Sequence, residues 1–311
     1  MNFLNLYYFS VAAEELNFTK AAKRLFISQQ ALSSHISRLE DEFNVVLFNR
    51  TQPATLTEAG KALYSYSRTL LYQKNQIESA MQDIRDFRSG ELTIGISTSR
   101  GSVMLPDILP EFHANFPQIR IKLVEGTTRE INQALYEGRA DLYIGFAIND
   151  PERVHEDLLH TEHLVCAVPN ALLMADKEAR KTLPRSGTLQ NFQIFGAYPF
   201  IKMPHDVWLG GVYEKCCEEH GVEPEVALET TSMTTLVSLC SAGIGAIVLP
   251  EIFINRRTLF WSGVDWRDSV SIFPLDYPAG SKPITVAYLK GHYISRAAQE
   301  FIRITREKFS Y

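Results

Sequence analysis

The chain has 311 residues, of which 45% are hydrophobic and 22% are charged, and its formal net charge is −5. A chain of this length can form two or three domains with separate cores. Its negative charge argues against a protein that coats nucleic acid with its whole surface. No apolar run approaches the roughly 20 residues of a membrane span. The N-terminus contains two glutamates before its first basic residue, which is unlike a signal peptide.

The four cysteines, Cys166, Cys216, Cys217 and Cys240, form neither a disulfide framework nor a paired zinc motif. We expect them to pack in or near the core, as free cysteines do in the reducing cytoplasm. Two alternatives remain open for the adjacent pair Cys216 and Cys217. One is a metal site formed with the acids and histidine that follow, and the other is a redox sensor.

Residues 17–50 predict two short helices joined by a tight turn. Thr19 can cap a first helix over residues 20–25, and Ser28 can cap a second over residues 29–43. The second helix carries an apolar stripe that should face inward, formed by Leu32, Ile36, Leu39 and Phe43. This pattern is typical of a helix-turn-helix, in which the second helix enters the major groove of DNA.

The outer face of this second helix carries uncharged polar side chains near its N-terminus. Gln can pair with adenine and Ser can hydrogen bond to several bases, whereas arginines farther along suit phosphates. The candidate DNA-binding residues are Thr19, Ser28, Gln29, Gln30, Ser33, Ser34, His35, Arg38 and Arg50. The alternative is a solvated amphipathic helix, with Arg50 paired to a nearby carboxylate.

Residues 45–48 and 55–56 predict two short strands that would form a small wing after the recognition helix. Residues 1–90 carry a net charge of only +1, against −6 for residues 91–311. The N-terminal region therefore lacks a strong basic patch, which is the main observation against DNA binding. Dimerisation would compensate, because two half-sites double the phosphate contacts.

A helix over residues 58–88 should follow, capped by Thr57. Apolar residues recur every seven positions at Leu63, Leu70, Ile77 and Ile84, and the second heptad position is filled by Tyr66, Gln73, Ala80 and Phe87. Such a seam predicts a partner helix and hence a homodimer. Packing of the seam within the same chain is the alternative.

From Glu91 onward, strands alternate with helices, which predicts an α/β fold with parallel sheets. A first lobe is expected at about residues 90–160 and 268–311, and a second at about 161–267. Ligands in such folds bind beyond the carboxyl ends of strands, where hydroxyls and helix amides suit a small anion such as a carboxylate. The candidate effector-binding residues are Ser97, Thr98, Ser99, Thr127, Thr128, Pro199, Phe200 and Thr230. Arg100, Arg129 and Lys202 lie nearby and could add charge recognition, and simple helix capping is the alternative for the hydroxyls.

The chain has no GxSxG elbow, Walker A loop, HExxH helix or dinucleotide-binding GxGxxG followed by a helix. We therefore expect no catalytic residues, no metal site and no cofactor. A metabolite-sensing module or enzyme, in which residues 1–90 serve only for assembly, is the competing hypothesis.

The chain resembles the LysR-type transcriptional regulators in the order of four features. These are an N-terminal helix over residues 4–16, then FTKAAKRLFISQQALSSHISRLED, VVLFNR and TLTEAG. That family often has Pro where Gln30 stands, and Arg and Gln where Ser34 and His35 stand. Base preferences therefore do not transfer to this chain.

The resemblance implies a winged helix-turn-helix domain over residues 1–57 and a linker helix over 58–89 that pairs antiparallel. A two-lobed, periplasmic-binding-protein-like effector domain over 90–311 would hold a small molecule in the cleft between its lobes. The implied partners are double-stranded promoter DNA, a second copy of the chain with assembly to a homotetramer, and RNA polymerase if the protein is an activator.

Overall fold

The structure, a computed structural model, describes residues 1–49, 54–85, 89–175, 192–255, 269–275 and 277–310. The N-terminal unit comprises α1 (Phe3–Glu15), α2 (Phe18–Leu25), α3 (Gln29–Phe43), β1 (Phe48–Asn49), β2 (Thr55–Leu56) and the linker helix α4 (Glu58–Arg85). Lobe I comprises β3 (Ser89–Ile96), α5 (Thr98–Asn115), β4 (Gln118–Val124), α6 (Thr128–Tyr136), β5 (Leu142–Phe146), β6 (Val154–Glu162), β12 (Lys282–Leu289) and α11 (Arg296–Phe309). Lobe II comprises β7 (Leu164–Pro169), α7 (Asn170–Ala175), β8 (Phe200–Lys202), α8 (Trp208–His220), β9 (Val226–Glu229), α9 (Met233–Ser241), β10 (Ile247–Pro250), α10 (Ile252–Asn255) and β11 (Val270–Pro274).

The three N-terminal helices enclose a small apolar core. Phe9 of α1 and Leu32 and Leu39 of α3 are fully buried in it, and the ring of Phe48 closes one end. Small residues at Ala21 and Ala22 let α2 approach its neighbours closely. The predicted inward stripe of α3 is shorter than expected, because Phe43 near the end of the helix is 42% exposed.

Two local predictions in this unit are wrong. The N-cap of α2 is Asn17, whose side chain accepts a hydrogen bond from the Lys20 amide at 3.0 Å, and Thr19 lies inside the helix. Asn is as good a cap as Thr, so a single sequence could not separate the two. Val45 and Val46 are exposed and precede the wing strand, which begins only at Phe48 and pairs with β2.

Lobe I is built on a five-stranded sheet in the order β4-β3-β5-β12-β6. Strands β3, β4 and β5 are parallel, as predicted, while β12 runs antiparallel to both β5 and β6. Helices α5 and α11 share the main core with one face of this sheet, and α6 covers the other face through Ile131 and Leu135. The carboxyl ends of the three parallel strands therefore lie side by side at one edge of the sheet.

Lobe II contains a sheet ordered β10-β7-β11, in which both strand pairs are antiparallel, so the prediction of a parallel sheet is wrong for these strands. The parallel pair β8-β9 lies beside β10, to which a bridge between Phe200 and Ala246 joins it. The chain enters this lobe at His163 and leaves it after β11. Residues 270–274 were expected in lobe I, but β11 pairs with β7 and belongs to lobe II. The two crossings are joined by a hydrogen bond of 3.0 Å between His163 Nδ1 and Ser281 Oγ.

Candidate functional site

The outer face of α3 presents a short row of polar side chains. Gln30, Ser34 and Arg38 are all exposed and fall four residues apart, so they line one side of the helix. Ser28 caps the helix by accepting a hydrogen bond from the Ala31 amide at 3.1 Å, and Gln29 accepts one from the Thr19 hydroxyl at 3.1 Å. Ser33 is half-buried at the margin of this face. Thr19, Ser28 and Gln29 are exposed, but each already forms a hydrogen bond: Thr19 with Gln29, and Ser28 with the first turn of α3.

His35 does not belong to this outer face. Its Nδ1 lies 2.8 Å from the Asn5 side-chain oxygen, and its ring packs edge-on against Tyr8 with 4.8 Å between centroids. Both partners are on α1, so His35 joins α3 to α1 and does not point outward. The prediction that His35 contacts bases is therefore contradicted by its packing. Arg50 lies outside the described residues.

Basic side chains that sequence reasoning did not single out lie on α2. Lys20 and Lys23 are exposed there, and within the described part of the chain neither forms an ion pair. Arg24, next to them, is neutralised by Glu14 and Glu15 at 2.7 and 3.0 Å. Two exposed lysines close to α3 suit phosphate contacts, which depend on charge and tolerate flexible side chains.

The linker helix α4 has two different faces. On the outer face, Tyr66, Ile77 and Met81 are 71%, 63% and 52% exposed. The opposite face packs on the same chain, where Ser67 and Tyr72 are buried. Leu70 of the predicted seam is half-buried, and the side chain of Ile84 and all of Phe87 lie outside the description. The protomer thus leaves an apolar strip on α4 uncovered, and Phe3, Leu4 and Tyr7 of α1 are also about half exposed.

The strand ends of lobe I contact lobe II through aromatic side chains. Phe146 is the last residue of β5 and Trp208 is the first residue of α8, and their rings pack edge to face with 4.7 Å between centroids. Lys282, at the second crossing between the lobes, places its Nζ 4.9 Å from the Phe146 ring and 5.4 Å from the Trp208 ring. Among the described residues Lys282 has no carboxylate partner, so its positive charge lies over both aromatic rings where the two lobes meet.

Hydroxyl residues line the lobe I side of the same edge. Ser97 caps α5, its Oγ lying 3.4 Å from the Arg100 amide, and Thr127 forms a reciprocal capping box with Glu130 at the start of α6. Thr98 and Thr128, the first residues of the two helices, are exposed. Ser99 is half-buried one residue farther along α5. The structure therefore brings the Ser97 and Thr127 loops to one sheet edge, although each cap hydroxyl is already engaged.

Arg100 is not available to a ligand as a free charge. Its two terminal nitrogens donate to the two carboxylate oxygens of Glu162 at 3.0 and 2.8 Å, and the guanidinium also lies 5.4 Å from the Phe146 ring. Lys202 is likewise neutralised, by Glu214 at 2.6 Å and Glu229 at 3.3 Å. Arg129 is exposed. Lys282, which the sequence did not mark, is thus a further basic side chain at this junction of the lobes, and it has no carboxylate partner among the described residues.

On the lobe II side, Phe200 is fully buried and packs against Phe192 and Tyr213, with centroids 5.6 and 5.2 Å away. It belongs to the core of lobe II, and its predicted role as a cleft wall is wrong. Pro199 is half-buried, and its carbonyl accepts a hydrogen bond from the Ala246 amide at 2.7 Å. The Thr230 hydroxyl accepts one from the Ser232 amide at 3.2 Å, just before α9.

Comparison with known proteins decides the family. Residues 85–310 match the LysR substrate binding domain, and residues 3–61 match the bacterial regulatory helix-turn-helix protein, lysR family. The chain is a LysR-type transcriptional regulator. Its two functional parts are the DNA-binding helix-turn-helix and the two-lobed effector-binding domain described above. The fold resembles that of periplasmic binding proteins.

Individual LysR-type relatives agree over nearly the whole chain. The transcriptional regulator AlsR of Bacillus subtilis is 32% identical over 273 residues, which cover 86% of this chain and 85% of the relative. A full-length OxyR variant from Pseudomonas aeruginosa superposes with a TM-score of 0.71 at 20% identity, covering 98% of this chain and 95% of the other. Full-length CbnR, solved with its target DNA, gives a TM-score of 0.65 at 21% identity, with 99% of each chain covered.

The cysteines of this LysR-type regulator are poor candidates for a reactive thiol. Burial raises the pKa of Cys216 and of Cys240 to about 12, and it also raises the pKa of Cys217. Cys166 is fully buried, and burial raises its pKa well above the usual value. Because the thiolate is the reactive form, these thiols should react slowly.

Two further features of the described residues bear on the class of protein. Across the described ranges, no group of three or more His, Cys, Asp or Glu side chains is arranged to hold a metal ion, which includes the CCEEH segment of α8. In the same ranges, no helix combines the length and the apolar character that crossing a bilayer requires.

Proposed function

We propose that this regulator reads promoter DNA through Gln30, Ser34 and Arg38 of α3, with Lys20 and Lys23 of α2 contacting phosphates. The exposure of these five side chains on adjoining helices supports the proposal. Gln and Ser supply donors and acceptors for base edges, and the basic residues supply affinity that does not depend on sequence. Thr19, Ser28, Gln29 and Ser33 act at the margin of this surface by fixing the entry of α3. Binding of this kind takes place on chromosomal DNA in the cytoplasm.

A footprint on the DNA upstream of the protein's own gene tests this proposal. We expect a protected region with two half-sites about one helical turn apart or a multiple of it, because paired recognition helices enter successive major grooves. Lys20→Ala should weaken binding to specific and scrambled DNA fragments by the same factor, and it should reduce the dependence of binding on salt. Lys215→Ala, which changes an exposed lysine of lobe II, is the matched control. Equal binding to specific and scrambled fragments at every salt concentration would contradict the proposal.

The unit that binds DNA is proposed to be a homodimer joined through the outer face of α4, with two dimers forming a tetramer. The uncovered strip of Tyr66, Ile77 and Met81 supports this, because a long helix rarely leaves such a strip exposed to water. RNA polymerase would be a further partner if the protein activates transcription.

The effector is proposed to be a small carboxylate that binds between the lobes. The observation that carries this proposal is Lys282, whose charge stands over Phe146 and Trp208 without a carboxylate partner among the described residues. A carboxylate could pair with Lys282, while the rings of Phe146 and Trp208 contact its apolar part. Ser97, Thr98, Ser99, Thr127 and Thr128 would line the lobe I side, and Pro199 and Thr230 the lobe II side.

Comparing carboxylates with their amides shows whether binding depends on the ligand's negative charge or on its shape. Sodium acetate, pyruvate, succinate and benzoate would be compared with acetamide and benzamide by the shift they cause in the unfolding temperature. We expect a carboxylate to stabilise the protein, its amide to have no effect, and Lys282→Met to abolish the shift while Lys215→Met preserves it. A carboxylate that stabilises the Lys282→Met variant as strongly as the wild type would refute the assignment.

We further propose that the chain carries no catalytic activity and does not sense oxidants through its thiols. The raised pKa values of all four cysteines support the second point. Treatment with hydrogen peroxide should leave the footprint unchanged, and Cys216→Ser with Cys217→Ser should behave like the wild type. A peroxide-dependent footprint that both substitutions abolish would restore the redox-sensor hypothesis.

A further inference from the structure

Helix α6 extends from the effector cleft to the linker helix. Its first residue, Thr128, lies at the sheet edge that faces lobe II, and its last residue, Tyr136, is followed by a turn that touches α4. Nine residues of α-helix span about 13 Å. The short helix α6 therefore lies between the proposed effector cleft and the linker helix α4, which a regulator of this kind has to connect.

The contact with α4 consists of two neighbouring interactions, which together form the latch. Arg68 of α4 pairs with Glu137 at 2.6 Å, and the two side chains are only 10% and 24% exposed. One turn farther along α4, the Tyr72 ring lies on Gly138, so close that a Cβ at Gly138 would stand 2.1 Å from the ring. Gly138 has a φ of 67°, and the Tyr72 ring also meets His292, with 4.9 Å between centroids. The latch is thus a small, specific patch of lobe I that holds the linker helix.

The body of α6 is packed tightly enough to move as a unit. Ile131 and Leu135 are buried against Tyr143 of β5 and against residues of β6 and β12. At its start, the capping box of Thr127 and Glu130 fixes the loop that leaves β4. Close-packed interiors transmit displacement because they are not continuously deformable. A shift of the Thr127 loop would therefore be carried to Glu137 and Gly138.

The space beside the latch is not closely filled. A cavity of about 1220 Å³ lies between the N-terminal helices, α4 and lobe I. Ser10 Oγ, Arg68 Nη2 and Gln76 Oε1 are buried along its wall, and none of the three atoms has a hydrogen-bond partner within the described part of the chain. Buried polar atoms without partners cost free energy. This interface therefore has room for a second arrangement of α4, in which these atoms could gain partners.

We propose that α6 couples occupancy of the effector cleft to the position of α4 through the latch of Arg68 with Glu137 and Tyr72 with Gly138. The inference rests on the proposed effector cleft and adds the route by which that cleft reaches the DNA-binding unit. Coupling between two sites is reciprocal, so DNA bound to α3 must in turn alter α6. The experiment can therefore use DNA as its probe and needs no effector.

The experiment is hydrogen exchange of the α6 amides in the full-length protein, with and without a DNA fragment from upstream of its own gene. In the wild type, DNA should change the α6 exchange rates by about fivefold or more, the lower range of allosteric coupling. Gly138→Ala drives a methyl group into the Tyr72 ring and should remove this change. Gly221→Ala is the matched control, because Gly221 has a φ of 62° and nothing within 4 Å of an added Cβ.

The variants keep the outcomes distinct. If Gly138→Ala fails to bind DNA, the coupling is tested with Glu137→Gln instead. This substitution removes the charge that pairs with Arg68 and keeps the shape of the side chain. If the wild type binds DNA but its α6 exchange rates do not change, the coupling is overturned and the proposed function stands. The same conclusion follows if both latch variants show the full change in α6 exchange rates. If the wild type does not bind its upstream DNA at all, the proposed function fails and the coupling fails with it.

Discussion

Arg100 and Glu162 form a bidentate ion pair in which both side chains are more than nine-tenths buried. Arg100 stands in the first turn of α5, and Glu162 is the last residue of β6 before the chain crosses into lobe II. The pair therefore ties the first turn of α5 to the first interlobe crossing. Each charge has been removed from water, so each depends on the other.

Removal of one partner of this pair should be strongly destabilising. Glu162→Ala leaves the Arg100 guanidinium buried without its counter-charge, for which we expect a loss of about 3–5 kcal/mol. Urea denaturation followed by circular dichroism measures the loss. The double substitution Arg100→Met with Glu162→Met should cost much less, since no charge is left unpaired. Equal stability of Glu162→Ala and the double variant would show that the pair is not buried as described.

The two faces of α3 should respond differently to substitution. Gln30→Ala removes an exposed amide that can pair with a base, so discrimination between specific and scrambled DNA should fall by about 1–3 kcal/mol. His35→Ala loses the contact with Asn5, so it should lower stability by about 1 kcal/mol and leave the preference for the specific site intact. Titration of both fragments at one salt concentration distinguishes the two effects. A His35→Ala variant that is fully stable but no longer discriminates would place His35 at the DNA after all.

Sequence periodicity predicted the elements that depend on local signals. The spans of α1 and α3, the start of α4 at Glu58, and the β-α-β-α-β order of lobe I follow from apolar spacing and caps, and the structure contains them. The predicted end of α4 lies outside the described residues. Predictions failed where two residues carry the same signal. Asn17 and Thr19 can each cap α2, and only the packed structure selects Asn17.

Failures of a second kind involve contacts between residues distant in sequence. From the spacing within α3 alone, His35 is expected on the outer face of the helix. Its contact with Asn5, thirty residues away in the sequence, shows that it faces α1. Phe200 ends a loop in the sequence, yet its strand lies inside lobe II beside β9 and Ala246. Lys282 shows the converse case. Nothing near it in the chain marks it, because Phe146 and Trp208 reach it from other strands and helices.

The outer face of α4 should control assembly. Ile77→Glu places a charge in the middle of the uncovered strip, and a two-fold interface would contain it twice. Because burying one Ile contributes about 1.5–3 kcal/mol, we expect dimer dissociation to become at least about a hundredfold more favourable. Sedimentation equilibrium over a range of concentrations measures this constant. Met174→Glu, which changes an equally exposed apolar residue of α7, should leave it unchanged, and an unaffected Ile77→Glu dimer would exclude α4 as the interface.

Asp141 should make stability depend on pH. The pKa of this carboxyl is raised from 3.8 to about 6, mainly by burial and to a smaller extent by the charge of Glu91, while a hydrogen bond from the Thr93 amide at 2.8 Å opposes the rise. Between pH 4 and 6 the folded protein therefore binds more protons at Asp141 than the unfolded chain does. Stability from this group is present below pH 4 and is lost as the pH rises through 6.

Asp141→Asn isolates this contribution, because its amide oxygen can still accept the Thr93 hydrogen bond while no charge develops. The variant and the wild type should be nearly equally stable at pH 4. The variant should gain an advantage by pH 7 that is at most about 3 kcal/mol, the equivalent of a shift of about two pKa units. Chemical denaturation at each pH measures the difference, and Glu91→Gln should lower the pH at which this difference levels off. A constant difference from pH 4 to pH 7 would mean that Asp141 titrates normally in the folded protein.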